Sequence, residues 1–511
     1  MNRRKNHKKN ITPLLIIALY FGLNHAVHAQ LLDSLKAKVG TNITIAKEDY
    51  QPLWLVSNRW GTITDQKFDA STYLTLSNKY TFGGKGPLRQ YYGRFVNQPT
   101  SYIIYGVTIN NHNHLKQTFL PEAYAKVKWH ALRLDVGRYK EVIGEVDYQL
   151  SSGSLGVSGN AVPIPKVSLG IPSYTDVPFI APGWVQVKGQ FSNGWMDSDS
   201  LVSKAYLHQR SFYVRLGKKP LVNARKFTTI NFYGGLNQFV VWGGEDTVGN
   251  KLPGAWKDLF TKVAVPGNNL GFFDYGATLT TRDFKLTAYT QVPFESKTNM
   301  NPFRIKDRLV GISLSSMHKG AILSSITFEA INTTWEDREA PNGRSDYNFY
   351  NNARYTNGWT YQGNIIGTPL FFNRQRAIHY FGESYTSKAT SNWNIANNRI
   401  NGFHLGLKGH FPIDWFSLSY RTLFTHTINN GNYYDGYWVK GNKNQSYLMQ
   451  ELTFQLNALK LNAALGVDMG KLSSNVGGML GIEYDLNYKP DLRYLGPVRF
   501  RRRVKSPFRR R

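Results

Sequence analysis

A period-two alternation of apolar and polar side chains recurs in short runs from residue 70 to residue 488. In residues 132–137, 284–289 and 461–469, every second side chain is apolar. Since successive side chains of a strand point to opposite faces, each run suits an apolar medium on one side and a polar medium on the other. The pattern predicts an all-β fold, either a soluble sandwich or a transmembrane barrel.

The N-terminal residues separate these two possibilities. Five of the first ten residues are Lys or Arg, residues 11–23 are apolar, and Ala29 ends a short cleavage-like segment. This order predicts a secretory signal peptide over residues 1–29 and a mature chain that starts at Gln30. No later window approaches the roughly 18 apolar residues that a spanning helix needs. We therefore expect an exported protein that crosses the outer membrane with strands.

The composition agrees with a barrel. The chain has 31 Tyr, 29 Phe and 12 Trp, a surplus that outer-membrane barrels place in two girdles at the lipid–water interfaces. It has no Cys, although small exported domains normally use disulfides, and a closed sheet satisfies its own backbone in lipid without them. The mean hydropathy of −0.40 fits strands of which only alternate residues meet lipid.

The formal net charge of +29 is uneven along the chain. Eight of the last thirteen residues are Arg or Lys and none is acidic, which predicts a disordered basic tail over residues 489–511 on the periplasmic side. The remaining positive charge is diffuse. An exported chain without a binding motif is a poor candidate for nucleic acid, whereas an anionic glycan or the phosphates of outer-membrane lipid suit such a charge.

The expected organisation has one β domain. Residues 30–69 are predicted to form a periplasmic segment with a short helix within residues 31–44, and residues 70–488 are predicted to form an antiparallel barrel of about 18 strands, with 16 as the other natural closure. The candidate strands are residues 70–82, 102–110, 123–129, 132–140, 184–192, 204–208, 212–217, 228–242, 272–280, 284–292, 309–315, 323–335, 378–385, 403–411, 415–424, 447–455, 459–469 and 477–488.

Two connecting segments are expected to fill the lumen. Long and short connections alternate, which places the long ones outside the cell and the short turns in the periplasm. The longest, residues 336–376, is rich in aromatic residues and is either folded into the barrel mouth or exposed for recognition. Residues 153–178 hold four prolines and are predicted to pack inside the lumen, with a long external loop as the alternative.

Several ordered motifs give the chain a family resemblance. They include Leu-Ser-Ser-Gly-Ser-Leu at residues 150–155, Pro-Ile-Pro-Lys at 163–166, Gly-Gln-Phe-Ser-Asn-Gly-Trp at 189–195 and Tyr-Leu-His-Gln-Arg-Ser at 206–211. This set resembles the signature of the capsule assembly Wzi family, in the form seen in Bacteroidetes-like organisms. The resemblance implies an outer-membrane barrel of about 18 strands that binds surface polysaccharide, is lectin-like rather than catalytic, and helps anchor or organise capsule.

Catalytic and metal-binding signatures are weak. His112 and His114 lie in an Asn-rich turn without the ligand spacing of a zinc site, so no metal or other cofactor is predicted. A glycosidase would need two converging carboxyls, and a membrane lipase would need a nucleophile beside a base; neither has a supporting motif, and the chain is predicted not to be an enzyme. The nearest residues for these two chemistries are Glu141, Glu145, Asp147, Asp197 and Asp199, and His208 with Ser211.

Polysaccharide binding requires a flat aromatic face against the sugar ring, with amides and cations for hydroxyls and carboxylates. Trp184 and Trp195 also suit the aromatic girdles that face lipid. For either residue alone, a girdle position is at least as well supported as sugar binding. The predicted contacts are Asn160, Lys166, Tyr174, Trp184, Gln186, Lys188 and Trp195 around the Pro-rich segment, and Arg344, Arg354 and Trp359 in the long loop.

The sequence thus predicts a non-enzymatic outer-membrane protein that binds capsular or other surface polysaccharide and aids capsule assembly or attachment. A porin for sugars or other small solutes is the alternative, and the two differ in whether the lumen is plugged or open. Outer-membrane lipid and the barrel-assembly machinery are expected as further partners. The sequence does not fix the oligomeric state or the identity of the glycan.

Overall fold

A computed structural model of the chain describes residues 35–91, 94–113, 116–177, 180–181, 183–218, 228–254, 267–295, 300–318, 320–335, 348–382, 393–413, 416–432 and 443–488, with the backbone alone for residues 83–91 and 94–100. The predicted signal peptide, the basic tail, His114 and Arg344 lie outside these ranges.

Eighteen antiparallel strands form one closed barrel, as predicted. Each strand pairs with its neighbours in chain order, and the first strand closes the sheet on the last, with Ile43 opposite Leu480. Closure satisfies the backbone donors and acceptors that an open edge would leave unpaired in lipid. The strands are β1 (Lys36–Ala46), β2 (Phe68–Tyr91), β3 (Arg94–His112), β4 (Gln117–Trp129), β5 (Leu132–Arg138), β6 (Lys166–Asp176), β7 (Val185–Trp195), β8 (Tyr206–Leu216), β9 (Thr228–Trp242), β10 (Asn268–Thr281), β11 (Phe284–Phe294), β12 (Arg308–Ser316), β13 (Ser325–Asn332), β14 (Ile400–Phe411), β15 (Ser417–Asn429), β16 (Lys443–Leu456), β17 (Leu459–Gly470) and β18 (Asn475–Asp485).

The alternation sorts the side chains between the two faces of the wall. In β18, Leu480 is 67% exposed and Ile482 and Tyr484 are also exposed, whereas Met479, directly before Leu480, is buried in the interior. The same outward apolar row appears in β1 at Ile43 and Ile45. Exposed apolar side chains on every second position are what a lipid-facing barrel wall requires.

The connections give the barrel two unlike ends. Short turns such as residues 130–131, 282–283 and 457–458 lie at one end, where β1 begins and β18 ends; we call it the short-turn end. The other end, the long-loop end, carries residues 47–67, 139–165 and the long connection between β13 and β14. The predicted alternation of long and short connections is therefore present.

The structure corrects the prediction for the N-terminal segment. The expected helix within residues 31–44 is wrong over its described part, because Lys36–Ala46 is strand β1 and pairs with both β2 and β18. Its outward positions, among them Val39, Ile43 and Ile45, alternate with the inward Gly40, Asn42 and Thr44. The polar Thr41 interrupts the outward apolar row, which hid the period-two pattern.

Three further strand predictions are corrected. The strand predicted over residues 378–385 is wrong over its described part, because the helix α2 (Arg374–Phe381) and the Gly382 that ends it cover residues 378–382; residues 383–385 lie outside the described ranges. The two strands predicted within residues 204–217 are one continuous strand, β8. Lys166–Asp176, predicted to lie in the lumen as part of the Pro-rich segment 153–178, is the wall strand β6, and its one proline, Pro172, lies where the pairing of β6 with β7 shifts register. A bulge is one of the few places in a sheet that tolerates proline.

A plug fills the part of the lumen nearest the long-loop end, as predicted from the Pro-rich segment and the long loops. It consists of residues 47–67 with the short helix α1 (Leu53–Val56), residues 139–165, and the described parts of residues 348–399. Its buried side chains form one continuous core with the inner wall, and Trp359 is 0% exposed. In the described part of the chain, no helix is long and apolar enough to cross a membrane.

Polar contacts fix the plug to the wall. Glu329 of β13 accepts hydrogen bonds from the Ser151 hydroxyl at 2.7 Å, from the Ser152 amide at 2.6 Å and from the Tyr289 hydroxyl at 2.6 Å. Gly153 follows in a left-handed conformation, with φ of +104°, which turns the chain back across the lumen. Buried bonds of this kind are costly to break, since the carboxylate would be left without donors.

Candidate ligand-binding site at the long-loop end

A cavity of about 430 Å³ opens at the long-loop end, and we call it the mouth cleft. One side is formed by the connection between β1 and β2, and the other by residues 362–379. Asn160 of the plug and the ends of β3 and β4 complete its lining. The size lies within the range of ordinary ligand sites, roughly 300–1,000 Å³.

Amides are the commonest type of polar side chain in the lining of the cleft. Gln66, Gln117, Gln362 and Gln375 are exposed and Asn364 is half-buried. Each amide offers donors and acceptors for sugar hydroxyls without adding charge. Phe371 and Phe372 lie beneath them but are only 2% and 5% exposed, so the accessible lining is mainly polar. This chemistry suits a carbohydrate better than a strongly ionic or a purely apolar ligand.

The helix α2 is positioned by its caps and by one arginine. The Asn373 side chain accepts a hydrogen bond from the Arg376 amide at 3.1 Å, and Gly382, with φ of +72°, ends the helix. Arg376 is 8% exposed and its guanidinium bonds Asp65 at 2.6 Å and the Gln51 carbonyl at 2.8 Å. These bonds hold α2 against the β1–β2 connection across the cleft.

The ionisation of Arg376 is set by its carboxylate neighbours. Burial alone would lower the pKa of Arg376, but the charges of Asp65, Tyr380 and Asp468 together raise it above its ordinary value. The guanidinium nitrogen lies 3.8 Å from Asp468, which is almost fully buried and also accepts from the Leu53 amide at 3.0 Å. A permanent cation therefore links α1, α2 and the wall strand β17.

His379 of α2 gives the cleft a pH dependence. Its ring contacts Tyr50, with centroids 5.0 Å apart and planes tilted by 30°, and burial lowers the pKa of His379 below its ordinary value of 6.5. Because the pKa of His379 is lowered while α2 is packed against the β1–β2 connection, the neutral ring favours this docked state of the helix and the protonated ring opposes it. As the pH falls below about 6.5, the undocked state binds the proton more readily, and docking of α2 is expected to weaken.

Hydrogen exchange of the α2 amides should therefore become faster, relative to their intrinsic rates, between pH 7.5 and pH 5.5. A His379→Gln variant should lose this dependence, because no proton is taken up at that position. A His318→Gln variant is the matched control, since His318 lies in an exposed turn at the opposite end of the barrel. Equal pH dependence in the His379 variant and in the unmodified chain would contradict the assignment.

The predicted site residues fall into separate groups. Asn160 lines the mouth cleft and is partly engaged, since its amide donates to the Ile365 carbonyl at 2.9 Å. Lys166 is buried against Glu141, which also accepts from Gln190 at 2.8 Å and Gln209 at 3.0 Å. Burial alone would raise the pKa of Glu141, but the Lys166 ammonium and these amides hold it below its usual range. Lys166 therefore belongs to an internal ion pair.

Three other candidates lie on the inner wall. Lys188 pairs with Glu145, and its ammonium lies 4.9 Å from the Tyr174 ring centroid and 4.3 Å from that of Tyr213. Gln186 is fully buried and accepts from Arg215 at 2.8 Å. These contacts brace the wall, and they lie apart from the mouth cleft.

The remaining candidates are dispersed. Trp184 and Trp195 are 53% and 52% exposed at opposite ends of β7, and Trp195 follows the outward row of that strand. Trp359 is buried in the plug and donates to the Gly156 carbonyl at 2.7 Å, so it presents no surface to a ligand. Arg354 is exposed at the long-loop end. Of the described candidates, only Asn160 lines the cleft.

The carboxylates considered for catalysis have structural bonds. Asp147 bonds Lys408 at 3.2 Å, and Asp199 accepts from the Leu201 amide at 2.7 Å. Burial raises the pKa of Asp197, which accepts from the Gln362 amide at 2.8 Å. His208 and Ser211 are three residues apart on β8 and so point to opposite faces. Within the described ranges, no group of three or more potential metal ligands converges.

Comparisons with known proteins agree with this architecture. The family model described as capsule assembly protein Wzi matches residues 33–390, which is more than half of the chain. The chain belongs to the Wzi capsule assembly family. No curated protein sequence matches it significantly.

One solved structure shares the fold of this Wzi-family chain, and a second shows a weaker likeness. Wzi of Escherichia coli, described as an outer-membrane protein involved in group 1 capsule assembly and as a carbohydrate-binding β-barrel, is 14% identical, with a TM-score of 0.55 over 93% of this chain and 89% of that chain. OccK11 (OpdR) of Pseudomonas aeruginosa is 10% identical, with a TM-score of 0.42 over 88% and 95%. The family and the fold identify an outer-membrane β-barrel.

The cleft residues that the sequence did not single out are Gln66, Gln117, Gln362, Asn364 and Gln375. Three of them fall within the long aromatic loop that was predicted either to fold into the mouth or to be exposed. The signal available was the density of amides around Gly363, in Gln-Gly-Asn at residues 362–364. Amide-rich turns are common in loops of every kind. The Gln-Gly-Asn turn therefore indicates a ligand site only when the residues on the other side of the cleft are known.

Proposed function

We propose that this Wzi-family barrel is a non-enzymatic, lectin-like protein that binds capsular or other surface polysaccharide at the mouth cleft. The long-loop end would face the outside of the cell, where it would hold polymer during capsule assembly or attachment. The observation that carries the proposal is an amide-lined cleft directly above a filled lumen. The description of Escherichia coli Wzi as carbohydrate-binding supports it.

The chemistry of the cleft supports sugar recognition in two ways. Each exposed amide can both donate a hydrogen bond to one sugar hydroxyl and accept one from another. The charge of the buried Arg376 is already neutralised by Asp65, so the site does not require an acidic sugar. The helix α2 and the β1–β2 connection are fixed to each other before ligand arrives. A preformed site avoids part of the entropy cost of ordering loops on binding.

Binding of the purified protein in detergent to the surface polysaccharide of its source organism tests the proposal. Replacing Gln362 and Gln375 with Ala should weaken binding about tenfold, since each lost hydrogen bond is worth about 0.5–1.5 kcal/mol. The control is Thr247→Ala with Lys251→Ala, on an exposed loop at the same end. Equal affinity in both double variants would refute the mouth cleft as the site.

A further inference from the structure

A second cavity, of about 890 Å³, opens at the short-turn end. We call it the turn-end vestibule. Its walls come from the short-turn ends of β12–β17, and Arg59, Tyr148 and Gln149 of the plug form its inner end. The buried core of the plug lies between this cavity and the mouth cleft. The vestibule is therefore a separate compartment, roughly twice the size of the mouth cleft.

Positive charge exceeds negative charge in the vestibule. Glu451 is shared by two arginines, with Arg59 at 3.1 Å and Arg421 Nε at 2.7 Å from its oxygens. Lys408 bonds Asp147 at 3.2 Å and Gln149 at 2.9 Å. Four cations, the last of them Lys460, thus face Glu451 and Asp147, and Glu483 lies opposite Lys460 on the paired strand.

Lys460 is the cation best placed to accept a ligand. Among the described residues, no carboxylate forms an ion pair with it. Glu483, opposite Lys460 on the paired strand, attracts the Lys460 charge at longer range, but its direct bonds are to Lys38 at 3.2 Å and to the Tyr73 hydroxyl at 2.7 Å. Walls with an excess of one sign, enclosed by low-dielectric protein, concentrate ions of the opposite sign.

An aromatic face lies next to these cations. Tyr148 is 64% exposed and lines the vestibule, whereas Leu150, two residues further along the same segment, is fully buried. Hydroxyl and amide groups surround it, including Ser315, Thr453 and Asn462. An exposed ring beside cations and hydroxyl-binding groups matches an acidic sugar, which has an apolar C–H face and a carboxylate.

We propose that the turn-end vestibule is a second binding site, for a segment of acidic saccharide that carries carboxylates. Tyr148 packs against the sugar ring, and Lys460 binds its carboxylate. The basic tail of the chain is unsuited to the cavity, because its eight positive charges would meet a positive wall. The site does not depend on ligand at the mouth cleft.

The test measures binding of tetragalacturonate, maltotetraose and inorganic phosphate to the full-length protein in detergent by calorimetry. We expect tetragalacturonate to bind, with an affinity that falls as salt rises, and maltotetraose and phosphate to bind at least tenfold more weakly. Tyr148→Ala with Lys460→Gln should weaken tetragalacturonate binding about tenfold or more. Lys251→Gln, at the opposite end, is the matched control for the charge change and should have no effect.

The mouth variants separate this inference from the proposed function. Gln362→Ala with Gln375→Ala should leave tetragalacturonate binding intact. If that pair abolishes it while the Tyr148 and Lys460 pair does not, the second site is refuted and the mouth cleft stands. If phosphate or maltotetraose binds as well as tetragalacturonate, the assignment to an acidic saccharide is refuted. Unchanged heat-modifiable gel migration shows that each variant keeps its barrel.

Discussion

A variant in which residues 139–164 are replaced by an Asn-Gly turn is expected to form large, stable conductance steps in planar bilayers, whereas the unmodified chain is expected to form none. The replaced residues cross the lumen and contribute Leu150, Leu155 and Ile164 to the buried core. The barrel should survive the change, because Gly137 and Lys166 are paired in the sheet and a two-residue turn can join β5 to β6. The lumen would then lose the centre of its plug.

The control for this variant is a chain shortened by residues 247–250, which form an exposed loop at the long-loop end outside the lumen. It should remain closed. The experiment also decides between the proposed lectin and a porin. Large, stable steps from the unmodified chain would show that the plug opens or leaves a bore, and would favour the porin for sugars or small solutes.

The strand number followed from the sequence, but partly because errors cancelled. β1 was missed, since the polar Thr41 interrupts its outward apolar row between Val39 and Ile43. β6 was missed because Pro172 was read as excluding a wall strand, although it lies at a bulge. One strand too many came from splitting β8, where polar residues interrupt the apolar row, and another from the alternation around Ile378, which is helical in α2.

The plug was predictable and the cleft was not. Prolines and small residues in 153–165 exclude a regular strand, and the apolar residues among them require burial, so the lumen was the natural place. Cleft residues such as Gln66 and Gln362 come from connections about 300 residues apart in the chain, and no local pattern records which loops fold inward together. Trp184 and Lys166 have side chains of the type that binds sugars. However, Trp184 is exposed at a turn, and Lys166 forms an internal ion pair with Glu141.

Arg376→Met is expected to undock α2 and to weaken polysaccharide binding at the mouth cleft by more than tenfold. Arg376 bonds both oxygens of Asp65 at 2.6 Å, and it faces Asp468, which is 1% exposed. Methionine has a similar volume but leaves both carboxylates without their cation. Removing one partner of a buried pair costs about 3–5 kcal/mol, because the other charge stays in a low dielectric. For each 1.4 kcal/mol by which the lost ion pair destabilises the docked state of α2 relative to the undocked state, the ratio of docked to undocked helix falls about tenfold.

Undocking of α2 in Arg376→Met is measured by polysaccharide binding and by hydrogen exchange of the α2 amides. Arg282→Met provides the control, since Arg282 is exposed in a turn at the opposite end of the barrel. Arg376→Lys should lie between the two, because one ammonium cannot bond Asp65 and the Gln51 carbonyl in the same planar geometry. If Arg376→Met leaves both readouts unchanged, α2 is held by the apolar contacts of Phe372, Ala377 and Leu472 instead. In that case the ion pair would be dispensable for the cleft, and Asp468 would serve chiefly to fix α1 through the Leu53 amide.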